Sequence, residues 1–237
     1  MENLRRLGAE AGVLAGIATG LLFLGFVWFF PQAGLTMAAQ TNPHKYLTFI
    51  AKHEMLFWTV NVLGGLLAAL MSMVLFLAVG DRFRDDAPAS SRIGPAFGIA
   101  GALGFAASAL IRQVGYSGAA ELYAVNKTSA VVAFRGVQWV EASMFALGQV
   151  AVGFGAIVLG IVMLRAKRYG GVGYLSAVAG TTMFLGGFID HVVLFMGSFA
   201  LMAGWFVWTS LVMRSEAGPG LIRLGAAKGR TTSRQAA

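Results

Sequence analysis

Long apolar runs alternate with short polar segments along this chain. Six runs cover residues of about 9–30, 55–80, 93–112, 140–165, 171–189 and 192–213. Each is about as long as the roughly 20 residues that a helix needs to cross a bilayer's hydrocarbon core. Backbone groups in lipid must be hydrogen-bonded within their own segment, so the runs predict helices. The expected fold is all-α: a polytopic integral membrane protein, a bundle of six transmembrane helices with short loops and one or two interfacial helices.

Composition supports this class. Of 237 residues, 57% are hydrophobic and 12% are charged, whereas about a quarter of the residues of a soluble domain are charged. The first apolar run is longer than the core of a signal peptide and no A-x-A cleavage site follows it, so we expect a retained first span. The chain has no cysteine, which excludes disulfides and thiolate metal sites.

The basic residues predict an orientation. With the N-terminus inside, thirteen Lys and Arg residues fall in the inner segments and five in the outer ones. This asymmetry predicts a bacterial inner (plasma) membrane protein with both termini cytoplasmic. Residues 214–237 form a basic tail that we expect to be disordered beside the inner leaflet. Nucleic acid is not an expected partner, because no basic run is interleaved with stacking aromatics.

Small residues recur at helical spacing in three of the predicted spans. The candidate helix-packing positions are Gly8, Gly12, Gly16, Gly20, Gly94, Gly98, Gly155 and Gly160. Such residues allow two helix backbones to approach closely. They indicate either tight packing inside one bundle or docking onto a membrane-protein partner or a second copy of the chain.

Two segments between spans have a mixed polar and apolar character. Asn42-Pro43 is a good helix start, followed at helical spacing by Tyr46, Leu47 and Ile50. This predicts a short helix on the outer surface. The segment 117–135 has a similar composition and predicts a second interfacial helix.

Polar residues gather at the predicted outer ends of the spans and define a candidate outer vestibule. Its members are His53, Glu54, Arg112, Arg135, Gln138, Glu141, Gln149, Asp190 and His191. Ionisable groups beside spans are costly, so they pair with one another or mark a site. They could form ordinary interfacial ion pairs, such as Arg112 with Asp190 or Arg135 with Glu141.

Three functional alternatives remain open for the vestibule. Glu141 and Asp190 could serve a proton- or ion-coupled transport site. A divalent metal could bind His53, Glu141, Asp190 and His191, and two of these, His53 and His191, could instead be axial ligands to haem. No cofactor is predicted, and haem, pigment or a divalent metal stay open. Inside the spans, Asn61 and Gln149 are expected to form interhelical hydrogen bonds.

Two stretches carry a resemblance to a known group of proteins. RRLGAEAGVLAGIATG opens the chain, and MFALGQVAVGFGAIVLGIVMLRAKRYGGVGYLSAVAG follows later. Together they resemble an uncharacterised bacterial six-span membrane protein family of unknown function, with an Arg-rich start and a glycine-spaced fourth span. The loop after that span usually has Pro, where this chain has Tyr169-Gly170-Gly171. The resemblance implies an architecture and no catalytic residue.

The sequence alone favours a non-catalytic subunit or scaffold that packs against a larger membrane complex through its glycine-rich faces. The main alternative is a small proton- or ion-coupled transporter or channel entered through the outer vestibule, and the third is a metal- or haem-dependent membrane enzyme. Enzyme activity is disfavoured, because G-x-S-x-G, H-E-x-x-H and P-loop motifs are absent from the sequence.

Overall fold

The computed structural model describes residues 2–167, 169–189 and 191–217, and within these ranges the fold is helical without strands. In chain order the helices are α1 (Asn3–Gln32), α2 (Met37–Gln40), α3 (Pro43–Lys52), α4 (Glu54–Arg82), α5 (Ser90–Val125), α6 (Lys127–Arg165), α7 (Gly170–Gly186) and α8 (Val192–Ala217). Of the predicted tail, residues 214–217 end α8 and the remainder lies outside the described residues.

Among the described residues, five helices are long and apolar enough to cross a membrane: α1, α4, α5, α6 and α8. The remaining long helix, α7, has 17 residues. It rises only about 26 Å, slightly less than the roughly 30 Å of a hydrocarbon core. Length and composition therefore indicate five spanning helices, one fewer than the sequence predicts.

The six long helices form a closed ring in the described part of the chain. Each packs against two neighbours, in the cyclic order α1, α4, α5, α6, α7, α8 and back to α1. We call the end of the ring that contains Arg5 and Asp81 the base, and the opposite end, where α1 leads into α3, the cap.

Two helices extend further than their predicted spans. The sequence predicts spans over 93–112 and 140–165, whereas α5 has 36 residues and α6 has 39. They meet at Asn126, whose side chain accepts a hydrogen bond from the Ser129 amide and so caps α6. The prediction of a separate interfacial helix over 117–135 is wrong, because its first half continues α5 and its second half begins α6.

The short helix predicted to start at Asn42-Pro43 is present as α3. The Asn42 side chain accepts hydrogen bonds from the amides of His44 and Lys45, and Pro43 occupies the first turn. Its apolar face, which includes Tyr46, Leu47 and Ile50, is buried, and the helix packs on the hairpin formed by α5 and α6. Capping and one apolar face thus fix the helix at the cap.

Glycines set the closest helix contacts, most of them toward the base. A Cβ at Gly8 would collide with Ala78 of α4, and one at Gly155 would lie 2.7 Å from both the Gly94 oxygen and the Gly98 nitrogen of α5. Seven of the eight predicted packing glycines face another part of this chain in this way, namely Gly8, Gly12, Gly16, Gly94, Gly98, Gly155 and Gly160. At Gly20 no atom of another described residue lies within 4 Å of the position that a Cβ would take. These contacts favour packing inside one bundle over docking between subunits.

Candidate functional site

A buried ion pair joins α5 to α6 near the cap. The Nη2 of Arg112 contacts the Oε1 of Glu141, and their side chains are only 12% and 7% exposed. Both residues belong to the predicted vestibule, but the pairing differs from the two predicted examples. Asp190, the expected partner of Arg112, lies outside the described residues. Arg135, the expected partner of Glu141, donates instead to Gln138 Oε1 at 3.0 Å.

Three more polar side chains complete what we call the ion-pair cluster, made of Asn61, Ser108, Arg112, Tyr116 and Glu141. Glu141 accepts hydrogen bonds from the hydroxyl of Ser108, at 2.7 Å, and from that of Tyr116, at 3.4 Å. The Nη1 of Arg112 donates to Asn61 Oδ1 at 3.5 Å. The cluster therefore ties together α4, α5 and α6, and Asn61 forms the interhelical hydrogen bond expected of it.

The guanidinium of Arg112 also lies over two aromatic rings. Its Cζ is 5.3 Å from the ring centre of Phe26 on α1 and 5.8 Å from that of Phe145 on α6. Cation–π attraction strengthens when the charge is removed from water. A buried pair is tolerated only when its remaining donors and acceptors are satisfied, and these rings and hydrogen bonds supply that environment.

Three helices change to π-helical geometry close to this cluster. Within the described residues the π-helical segments are Gly25–Phe29 in α1, Thr59–Leu66 in α4 and Arg112–Tyr116 in α5. They contain Phe26, Asn61 and both Arg112 and Tyr116, and Gly25 packs closely on Val60. Such segments are frequent at functional sites. Their convergence here marks the cluster as the most distinctive part of the ring.

An aromatic layer covers the cluster on its cap side. The layer consists of Phe30, Tyr46, Phe49, Phe57, Tyr116 and Phe134, all buried. The Tyr116 ring lies 4.6 Å from that of Phe134 and 5.6 Å from that of Tyr46. Burial raises the pKa of Tyr46 to about 12, so its phenol stays uncharged even at a pH at which an exposed tyrosine ionises. The layer separates the ion pair from the cap surface.

A small cavity adjoins the cluster inside the ring. Its volume is about 40 Å³, and its polar lining comes from Asn61, Ser108 and Arg112 together with the hydroxyls of Thr19 and Ser72. Apolar side chains such as Phe199 and Met202 form much of the remaining wall. A water needs about 10–15 Å³ and two or more polar partners. By volume, the cavity therefore has room for about three waters beside the ion pair.

Of the other predicted vestibule residues that the structure describes, none joins the cluster. His53 stacks near the Phe49 ring, 5.0 Å away, and Glu54 and His191 are exposed. Gln149 is buried, but its Nε2 has no hydrogen-bond partner in the described part of the chain, so the bond expected of this nitrogen is missing. Over the same residues no three His, Asp or Glu side chains group together as metal ligands would.

Sequence reasoning missed Ser108, Tyr116 and Tyr46 as members of this region. Ser108, Arg112 and Tyr116 follow one another at intervals of four residues, a spacing that places side chains on one helix face. This spacing could have indicated that Ser108 and Tyr116 lie beside Arg112. Tyr46 carried no such signal, because its neighbourhood depends on how α3 folds back onto the hairpin.

We compared the chain with protein-family models, curated proteins and solved structures, and none of the three comparisons gave a match.

Proposed function

We propose that this protein is a small proton- or ion-coupled transporter of the bacterial inner membrane, with Glu141 and Arg112 at its centre. The observation that carries the proposal is the convergence of three π-helical segments on a buried ion pair, beside a small and mostly apolar cavity that Asn61 and Ser108 also line. Ionisable groups buried within apolar helices mark ion or proton pathways by default.

The membrane topology is part of the proposal: six spans with both termini in the cytoplasm. Support for the sixth span comes from α7, which is packed between α6 and α8 in the ring and carries no charged residue. Support for the orientation comes from the thirteen basic residues on the predicted inner side against five on the outer side. In this topology the base faces the cytoplasm and the cap faces outward.

Glu141 is the group that we assign to bind the transported proton or cation. As a carboxylate it is held by Arg112, Ser108 and Tyr116. Protonation of Glu141 removes the charge that Arg112 neutralises and so weakens the bond between α5 and α6. A site that changes its helix contacts with occupancy is what coupling of binding to conformational change requires.

The aromatic layer and the cavity have complementary roles in this mechanism. The rings of Tyr46, Tyr116 and Phe134 block direct access from the cap, so the described state is closed on that side. On the other side of Arg112, the cavity holds the polar groups that would solvate an ion leaving the pair. Transport then requires the aromatic layer to open while the cavity side closes.

Flux into liposomes tests the proposal. The purified chain is reconstituted into liposomes that contain a dye sensitive to H⁺, Na⁺ or K⁺, and the matching ion gradient is applied in each case. We expect wild-type protein to accelerate the decay of at least one gradient and Glu141→Gln to abolish that acceleration. Glu54→Gln, which removes an exposed carboxylate at the same end, is the matched control and should retain flux.

A folding defect is separated from a transport defect by a milder variant. Ser108→Ala removes one hydrogen bond to Glu141 but leaves the ion pair, and it should slow flux while lowering the stability by only about 1–2 kcal/mol, so that the protein still folds. If wild-type liposomes leak no faster than protein-free ones under all three gradients, the transport proposal is wrong.

A scaffold role is the second candidate, and one observation favours it. Gly20 is the member of the α1 glycine series with open space around its Cβ position, so it could admit a helix from another subunit. Purification in mild detergent should then recover a stoichiometric partner or a homo-oligomer, and Gly20→Leu should release it. A stable monomer in the wild-type preparation would contradict this role.

A further inference from the structure

A second polar feature lies at the cap, outside the ion-pair cluster. It is an open groove of about 460 Å³ between the end of α1, one face of α3 and the end of α5, and we call it the cap groove. Its polar lining consists of His44, Lys45, Thr48, Lys52, His53 and Tyr123. The proposed transport mechanism does not use these residues, so the groove must have a different role if it has one.

The polar side chains that line the cap groove are basic or neutral. Its lining, as far as the structure describes the chain, has two ammonium groups, two imidazoles and two hydroxyls but no Asp or Glu. His44 Nδ1 and the Tyr123 hydroxyl are hydrogen-bonded at 2.9 Å, which holds α3 to the end of α5. A concave surface with these donors and no carboxylate favours an anion.

Helix geometry explains why the donors converge. Lys45 and Lys52 are seven residues apart on α3 and therefore share one face, with Thr48 between them. The opposite face is anchored by buried Leu47 and Ile50. Gly34, with φ of +97°, turns the chain at the end of α1 and leaves open space beside the groove. The fold thus presents both lysines to one concavity.

The distribution of cations at the cap is uneven. Among the described residues the cap has four exposed basic side chains, Lys45, Lys52, Lys127 and Arg135. Two of them line the groove, and Lys127 Nζ lies 5.7 Å from the ring of Tyr123, a lining residue. Basic residues are scarce at this end, yet three of the four exposed ones adjoin a single groove.

We propose that the cap groove binds a phosphate group, with Lys45 and Lys52 as the charged ligands and His44 and His53 as further donors. A phosphate offers several strong acceptor oxygens, which suits a set of separate point-charge donors. Two sources share this chemistry: a free phosphate-bearing solute, and the headgroup of a phospholipid whose surface meets the end of α1.

Titration of the full chain with phosphate, in detergent after removal of bound lipid, tests whether the groove binds a free phosphate-bearing solute. Sodium phosphate is exchanged for sodium chloride at constant ionic strength, and the thermal midpoint is recorded. We expect saturable stabilisation of wild type and, in Lys52→Gln, a half-saturating concentration raised about tenfold, as expected for one charge-assisted hydrogen bond. Lys45→Gln should behave alike.

Arg135→Gln is the matched control, because it removes one exposed cap cation whose guanidinium bonds Gln138 and the Thr41 carbonyl instead of lining the groove. It should leave the titration unchanged. An equal shift in Arg135→Gln and Lys52→Gln would show a general charge effect and overturn the proposal.

The lipid arm uses native mass spectrometry after incubation with phosphatidylglycerol or with diacylglycerol, which lacks the phosphate. Retention of phosphatidylglycerol alone, reduced in Lys52→Gln, would identify the headgroup as the source. Saturable phosphate binding without lipid retention would identify the free solute. If wild type binds neither, the cap groove is not a phosphate site.

Discussion

Helices α5 and α6 are held together by different contacts in the two halves of the ring. Toward the base, glycines let backbones touch, as where Gly155 of α6 faces Gly94 and Gly98 of α5. Toward the cap the same two helices are joined by the Arg112–Glu141 pair, with large rings around it. In the cap half, α5 is π-helical over Arg112–Tyr116. Its partner α6 is α-helical over its whole length.

The contrast indicates a rigid base half and a cap half whose contacts can rearrange. Where small residues bring two helix backbones into contact, the helices can pack in few other ways. A larger side chain at such a position would collide with the backbone of the neighbouring helix. The cap half depends on long side chains and one charge pair, and it encloses a cavity. A protein that must change shape around a bound ion benefits from a fixed base and a cap whose contacts respond to protonation.

The largest expected effect is in the cap half. Arg112→Ala leaves Glu141 buried without its counter-ion, so unfolding should become easier by about 3–5 kcal/mol. The measurement is the thermal midpoint in detergent, with helix content as the readout. The double variant Arg112→Met with Glu141→Leu should recover much of the loss, and a double variant as unstable as Arg112→Ala would contradict the ion-pair explanation.

A smaller loss is expected in the base half. Gly155→Ala places a methyl 2.7 Å from the Gly94 oxygen and the Gly98 nitrogen, and overpacking of this kind costs about 1–3 kcal/mol. Gly20→Ala is the control: with nothing within 4 Å, it should be neutral or stabilising by up to about 1 kcal/mol. The same denaturation series measures both, and equal destabilisation would mean that the base contacts are not as close as described.

The smallest expected loss of stability is at Tyr116, at the edge of the ion-pair cluster. Tyr116→Phe keeps the ring contacts and removes only the hydrogen bond to Glu141, which is long at 3.4 Å. Its cost should be about 0.5–1 kcal/mol, below that of Gly155→Ala. A loss as large as that of Arg112→Ala would show that the phenol, more than the guanidinium, stabilises the carboxylate.

Much of the helical fold could be predicted from the sequence, because apolar runs and capping residues are local signals. Asn42-Pro43 located the start of α3 within one residue. The lengths of α5 and α6 were missed, since residues 113–139 mix polar and apolar positions and are helical beyond the apolar runs. No proline interrupts a helix between Arg112 and Asn126, and that continuity could have been used despite Gly115 and Gly118.

The candidate site was only partly predictable. Arg112 and Glu141 were identified because charges beside apolar runs are rare. Their pairing was not, because helix rotation is poorly determined when a span is apolar on every face. The π-helical segments have no compositional signature in Gly25–Phe29 or Arg112–Tyr116, and they decide which side chains reach Glu141.

The length of α6 has a consequence for the membrane voltage. From Glu141 to Arg165 the helix rises about 36 Å, which is at least the thickness of a hydrocarbon core. If Arg165 marks the inner boundary, the ion pair lies at the outer one. A charge that moves from Glu141 to the base then crosses almost the whole electric field, a difference of about 2.3 kcal/mol per 100 mV. In the proposed transport mechanism, turnover would accordingly follow the membrane potential closely, and the polarity of that dependence would test whether a proton or cation is carried.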